Sequence, residues 1–200
     1  MGNFWAVFRE INGNTFRYDT RIYLEAIQHP SVDDFCIGAV IEKNPGSAKP
    51  DSSTNHGLQE IDLDGDKLLP TVKNIIIKAH RKANIPIKSG SYVQVLNLIY
   101  LCEKDLSEAI RKSKTLSENT MCDCEKKYFP FVWYVWGIGD RNFKLYNGGS
   151  KNIDAERHFY FDNTQGKIIE GKPSNYDNAR HTQGLKHDLV VPFVSKLLST

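Results

Sequence analysis

The chain lacks the features that mark membrane, secreted and metal proteins. No apolar run approaches the roughly 18 residues of a membrane-spanning helix. Cysteine is scarce: four in 200 residues, at Cys36, Cys102, Cys122 and Cys124. That is not the disulfide framework of a small secreted domain. Cys122-Asp123-Cys124 lacks the spacing of a zinc knuckle and has no second Cys/His pair nearby, so it reads as exposed thiols. An excess of one charge is also missing, with 26 Lys and Arg against 24 Asp and Glu. This is not the strongly basic stripe of many duplex binders, although a small site reading one base needs none. Asp62-Leu63-Asp64-Gly65-Asp66 misplaces the glycine of a calcium loop, and Lys73 stands where the twelfth-position carboxylate belongs. No phosphate loop, dinucleotide fingerprint or nucleophile elbow is present. No metal or cofactor is assigned. No basic start followed by an apolar stretch follows Met1, so no signal peptide is expected and the expected location is cytoplasmic.

What is present suits one α/β domain over residues 1–200. Hydrophobic residues make up 40%, enough for a sizeable core without covalent staples. Ile11-Asn12-Gly13-Asn14 separates two alternating stretches and predicts an N-terminal β-hairpin, because Asn and Gly tolerate positive φ. Three apolar runs, 35–42, 91–101 and 129–136, read as buried strands. Helical spacing of Val72, Ile75, Ile76 and Ala79 predicts a helix over 68–83, and others are expected over 104–112 and 188–198. Residues 158–162 and 167–170 read as a second hairpin. Strands alternating with helices imply a mostly parallel central sheet flanked by helices. Residues 50–66 are polar and read as a long loop.

Chemistry is expected where the buried strands end, because ligands of parallel sheets sit beyond the carboxyl ends. The first run ends in Asn44-Pro45-Gly46-Ser47, the second carries Asn97, and the third ends in Trp136-Gly137. Asn44 offers amide donors and an acceptor, while Gly46 permits close approach of a ligand. The turn also reads simply as a strand terminator. Asn97 must be hydrogen-bonded inside an apolar run, either to a neighbouring loop or to a ligand. Glu42 lies two residues before Asn44, on the same face of the strand. His181 and His187 come late, and imidazole works as donor or acceptor at neutral pH.

These motifs resemble the bacterial domain-of-unknown-function family 1643. The resemblance runs from about residue 15 to about residue 190, through Arg17-Tyr18, Arg21, Asn44-Pro45-Gly46-Ser47-Ala48, Asp66, Pro70-Thr71, Lys73, Asn97-Leu98 and Trp136-Gly137. Residues 114–127 and 148–156 then look like insertions, and Arg180-His181-Thr182-Gln183 lacks the proline that follows histidine in that family. The layout is also similar to the uracil-DNA glycosylase superfamily. That likeness implies a three-layer sandwich and an enzyme acting on a nucleobase, in DNA or in a nucleotide. Asn44 would then orient the attacking water and His181 would stabilise the departing base. Glu42 would be a candidate water-activating base. Pro45, Gly46, Ser47, Asn97, Trp136 and Gly137 would bind substrate, with an aromatic stacked on the base. Two competing expectations are a non-catalytic nucleotide or nucleic-acid-binding module, and an interaction protein from a phage, plasmid or defence locus.

Overall fold

The computed structural model describes residues 1–47, 49–50, 57–63, 65–116, 122–138, 153–174 and 177–199. Asn12 and Gly13, both at positive φ, turn β1 (Gly2–Ile11) into β2 (Asn14–Ile27) as the expected hairpin. β3 (Phe35–Glu42) follows, then β4 (Lys49–Pro50), β5 (Gln59–Asp62) and α1 (Leu68–Ala83). After these come β6 (Ser91–Asn97), α2 (Leu106–Thr115), β7 (Tyr128–Tyr134), β8 (Asp154–Asp162), β9 (Lys167–Glu170) and α3 (Val191–Leu198).

The strands form one mixed sheet in the order β4-β5-β1-β2-β6-β3-β7-β8-β9. Of its eight pairings five are antiparallel and three parallel. This overturns the expected mostly parallel three-layer α/β sandwich of glycosylase type. The fold is mostly β, with three α-helices among the described residues. The reason lies in the flanks. The long N-terminal hairpin joins β6 edge-on through β2, and β9 pairs back on β8, so antiparallel ladders extend the sheet on both sides. The 50–66 segment is also not all loop, since β5 pairs with β1 inside it. Parts of the two expected insertions, 117–121 and 148–152, lie outside the described residues, as do Gly139, Asp140 and the Asp64 of the calcium-like segment. Cys122 and Cys124 are buried and joined as a disulfide, which corrects their reading as exposed thiols.

The two faces of the sheet carry separate cores. α1 lays Val72, Ile75, Ile76 and Ala79 onto Val40, Val95 and Trp133, and α3 adds Val191 and Val194. Asp66, one residue before the Lys67 N-cap, accepts the first helical amide of α1 at Leu68 (2.7 Å), and Asn84 ends the helix in the left-handed region. The opposite face gathers Ile41, Leu96, Val132, Tyr134 and Trp136 with Ala109 and Ile110 of α2. Among the described residues no helix is long and apolar enough to cross a membrane.

One irregularity re-aims a buried charged side chain. Trp5 pairs with Arg21 but Val7 pairs with Tyr18, so β2 holds one extra residue, and Asp19 takes φ 43° there. Without that bulge the alternation would run unbroken from Ile22 to Phe16. With it, Phe16 and Tyr18 join the α2 face and Arg17 turns to the α1 face. Left-handed backbone is costly for a β-branched residue. Asp19→Val is therefore expected to destabilise the fold by about 1–2 kcal/mol more than Asp19→Gly. Both variants lose the contact to Arg21, and urea unfolding measures the difference.

Candidate functional site

β3, β6 and β7 run parallel, so their carboxyl ends lie at one edge. Beyond β3 the chain does not simply stop. Leu98 and Ile99 donate to the carbonyls of Glu42 and Lys43 (3.0 and 2.9 Å), stitching the outgoing β6 segment to the end of β3. Gly46 then turns the chain at φ 63°. Asn44 Nδ2 donates to the Glu103 carbonyl (2.5 Å), which commits the amide nitrogen and leaves Oδ1 as its uncommitted acceptor among the described residues.

A cavity of about 360 Å³ opens here. Glu42, Asn44, Pro45, Gly46 and Ser47 form one wall. Gly65, Asp66 and Lys67, at the entry to α1, form another, and Lys104 and His181 complete it. The structure thus brings together six of the nine expected site residues.

Glu42 is the buried acid of the group, 5% exposed. Its Oε1 accepts from Arg17 Nη2 at 2.7 Å, and Arg17 is fully buried. Burial pushes the Glu42 carboxyl up to about 8, Arg17 pulls against that rise, and the nearby Asp66 adds to it. A carboxyl so placed can exchange a proton close to neutral pH.

His181 is delivered by a late segment sewn to the strand ends. Gly137 donates to the Ala179 carbonyl (2.6 Å) and Arg180 donates to that of Phe161 (2.9 Å). Gln183 N–H donates to His181 Nδ1 (3.1 Å). Nδ1 is therefore an acceptor, and the neutral ring carries its proton on Nε2. Burial lowers the His181 pKa, with Lys43 adding to the fall and Asp66 opposing it. The ring is thus neutral at physiological pH.

The other three expected residues are elsewhere. Asn97 sits in register with Glu42 on the α1 face but does not line the cavity. Its amide is buried, and neither end has a partner among the described residues. Trp136 and Gly137 line an adjoining cleft of about 510 Å³ that shares His181 and Gln183 with the cavity. Trp136 is 2% exposed and packs edge-on against Tyr134, so it offers little ring face for stacking. Among the described residues no Phe, Tyr or Trp side chain lines the Asn44 cavity. Gly137 takes φ 79°, which accounts for the glycine by backbone alone.

Arg17, Asp66 and Lys104 belong to the site and were not named for it from the sequence. Asp66 and Arg17 carry the family resemblance, and that was their only signal. Lys104 had none. No family model matches the chain, and no curated protein or solved structure matches it either. Among the described residues no group of three His, Cys, Asp or Glu side chains could hold a metal ion.

The Glu42 carboxyl links stability to pH. Its folded value is raised to about 8 from an ordinary 4.5. Between these the folded state holds more protons than the unfolded chain, so this contribution falls as pH rises through the window. Glu42→Gln does not titrate. Its stability relative to the wild type is expected to rise from about pH 5 to about pH 8 in urea melts, then level off. The opposite slope would mean that Arg17, not burial, sets the carboxyl.

Proposed function

We propose that the cavity beside Asn44 hydrolyses an N-glycosidic bond to a nucleobase, in DNA or in a nucleotide. The observation that supports this most is the meeting of Glu42, Asn44 and His181 in one cavity. Asn44 Oδ1 accepts a hydrogen bond from water and orients it toward the sugar carbon. Glu42 takes the proton as the water oxygen bonds that carbon. The electrons of the breaking C–N bond leave with the base, and His181 Nε2–H stabilises the charge that forms there. The base would then occupy the adjoining cleft past His181, and the sugar the more polar cavity. Lys67 and Lys104, both exposed at the cavity, suit neighbouring phosphates.

A non-catalytic module that binds the same ligands is the second reading. The observation favouring it is the 2.7 Å pair with Arg17, which occupies Glu42.

The test is incubation with single- and double-stranded DNA bearing uracil or other modified bases, scored as alkali-labile abasic sites. Base release is expected to rise with pH toward about 8, following ionisation of Glu42. His181→Ala is expected to lower the rate by about 10²–10³, the usual effect of removing one charge-stabilising donor. Activity unchanged in Asn44→Ala would sink the mechanism. Ligand-induced thermal stabilisation without base release would establish the binding module instead.

A further inference from the structure

The opposite end of the same strands holds a second cavity, about 350 Å³, lined by residues at the amino ends of β3, β6 and β7 and by the end of α3. Its walls are Phe35, Ile37, Ile85, Phe131, Leu197 and Leu198. Gly38, beneath that wall, leaves room for the Phe131 ring, with which a Cβ there would collide. A mostly apolar enclosure of this size with few polar groups is the usual form of a small-ligand site.

Two polar groups in it are open to a ligand, one without a hydrogen-bond partner and one without a counter-ion among the described residues. His80 lines the cavity and is 6% exposed. Its Nδ1 lies 3.3 Å from the Ile85 carbonyl, which can only accept, so Nδ1 carries the proton. Nε2 is then a bare acceptor, shut off from bulk water and without a partner among the described residues. Such a group costs free energy until a donor reaches it. At the rim, Lys88 stands over the half-exposed Phe35 ring (5.3 Å) and pairs with no carboxylate among the described residues. Arg157, also at the rim, is taken by Glu170 (3.3 Å), and Glu156 stands beside it. An anion is therefore favoured on the Lys88 side alone.

We propose that this cavity binds a small planar aromatic acid. The apolar body fills the space between Phe35 and Phe131, a hydroxyl at its far end donates to His80 Nε2, and the carboxylate meets Lys88. The site is separate from the Asn44 cavity and does not depend on its chemistry.

Titration with p-hydroxycinnamate, cinnamate and p-ethylphenol, followed by calorimetry and amide chemical shifts, tests each contact. p-Hydroxycinnamate is expected to bind and to perturb Phe35, Ile85 and Leu197. Loss of its hydroxyl should weaken binding roughly three- to tenfold, the worth of one hydrogen bond. Lys88→Gln, an exposed substitution that leaves the core intact, should weaken p-hydroxycinnamate by up to about fivefold and leave p-ethylphenol unchanged. His80→Leu should abolish the preference for the hydroxyl. The proposal is overturned if p-hydroxycinnamate does not bind, if cinnamate binds equally well, or if the perturbed residues surround Asn44.

Discussion

Arg17 and Glu42 meet at 2.7 Å inside the sheet, and the candidate site is organised around that contact. Burying two ions costs several kcal/mol each before their attraction is counted, and a well-packed apolar pair often does as well or better. This pair is not even fully compensated, since Arg17 Nε and Nη1 have no partners among the described residues. Removing one ion alone would strand the other, at about 3–5 kcal/mol. Glu42 therefore sits between opposed pulls. Burial and Asp66 favour the acid, Arg17 favours the carboxylate, and burial is the stronger. A carboxyl balanced this way suits proton transfer better than it suits stability.

The pair exists because of backbone choices made far from it. The bulge at Asp19 flips Arg17 onto the α1 face, and without it Phe16 and Tyr18 would take that face and the guanidinium would point toward α2. The entry to α1 supplies Asp66, already accepting the first helical amide at Leu68. The Gly137–Ala179 bridge sets where the last segment crosses the strand ends, and so where His181 arrives. Each of these is a local deviation from regular strand or helix. Bulges and left-handed turns concentrate next to active sites because they re-aim side chains that regular alternation would bury or expose.

Local patterns in the sequence carried the elements and part of the site. The hairpin at Asn12-Gly13, the helix at 68–83 and the three buried runs follow from periodicity and turn chemistry, which act over a few residues. So does the position of Asn44 at a strand end. Sheet pairing is different, because β2 joins β6 across some seventy residues and no local pattern encodes that partner. Alternating strands and helices therefore suggested a mostly parallel sheet, while the flanking hairpins made the fold mostly antiparallel. Trp136 shows the same limit on a smaller scale. Its place at a strand end was legible, but its packing against Tyr134, which withholds the ring face, depends on contacts made only after folding. Arg17 was hidden for the same reason, since the bulge that turns it inward has no signature beyond one aspartate.

Three of the residues that break the rules of a stable core lie together. Arg17, Glu42 and Asn97 are buried and polar, and all three stand on the α1 face near the carboxyl ends of the paired strands β6 and β3. The surrounding aliphatic positions on that face, Val40, Val93 and Val95, obey them. An unmet buried amide costs about 1–3 kcal/mol, and the ion pair adds its own desolvation. A sheet this well filled has no packing need for any of the three, because an aliphatic side chain in register with Val40 and Val95 would extend the core without cost. Consistency across levels is the mark of a sequence that specifies its fold, and its breaches are expected at functional sites. Other buried polar atoms without partners among the described residues, those of Gln59, Gln94 and His80 for instance, are spread singly over the rest of the fold, whereas these three residues share one face at the strand ends that lead to Asn44, the edge at which the proposed chemistry would operate.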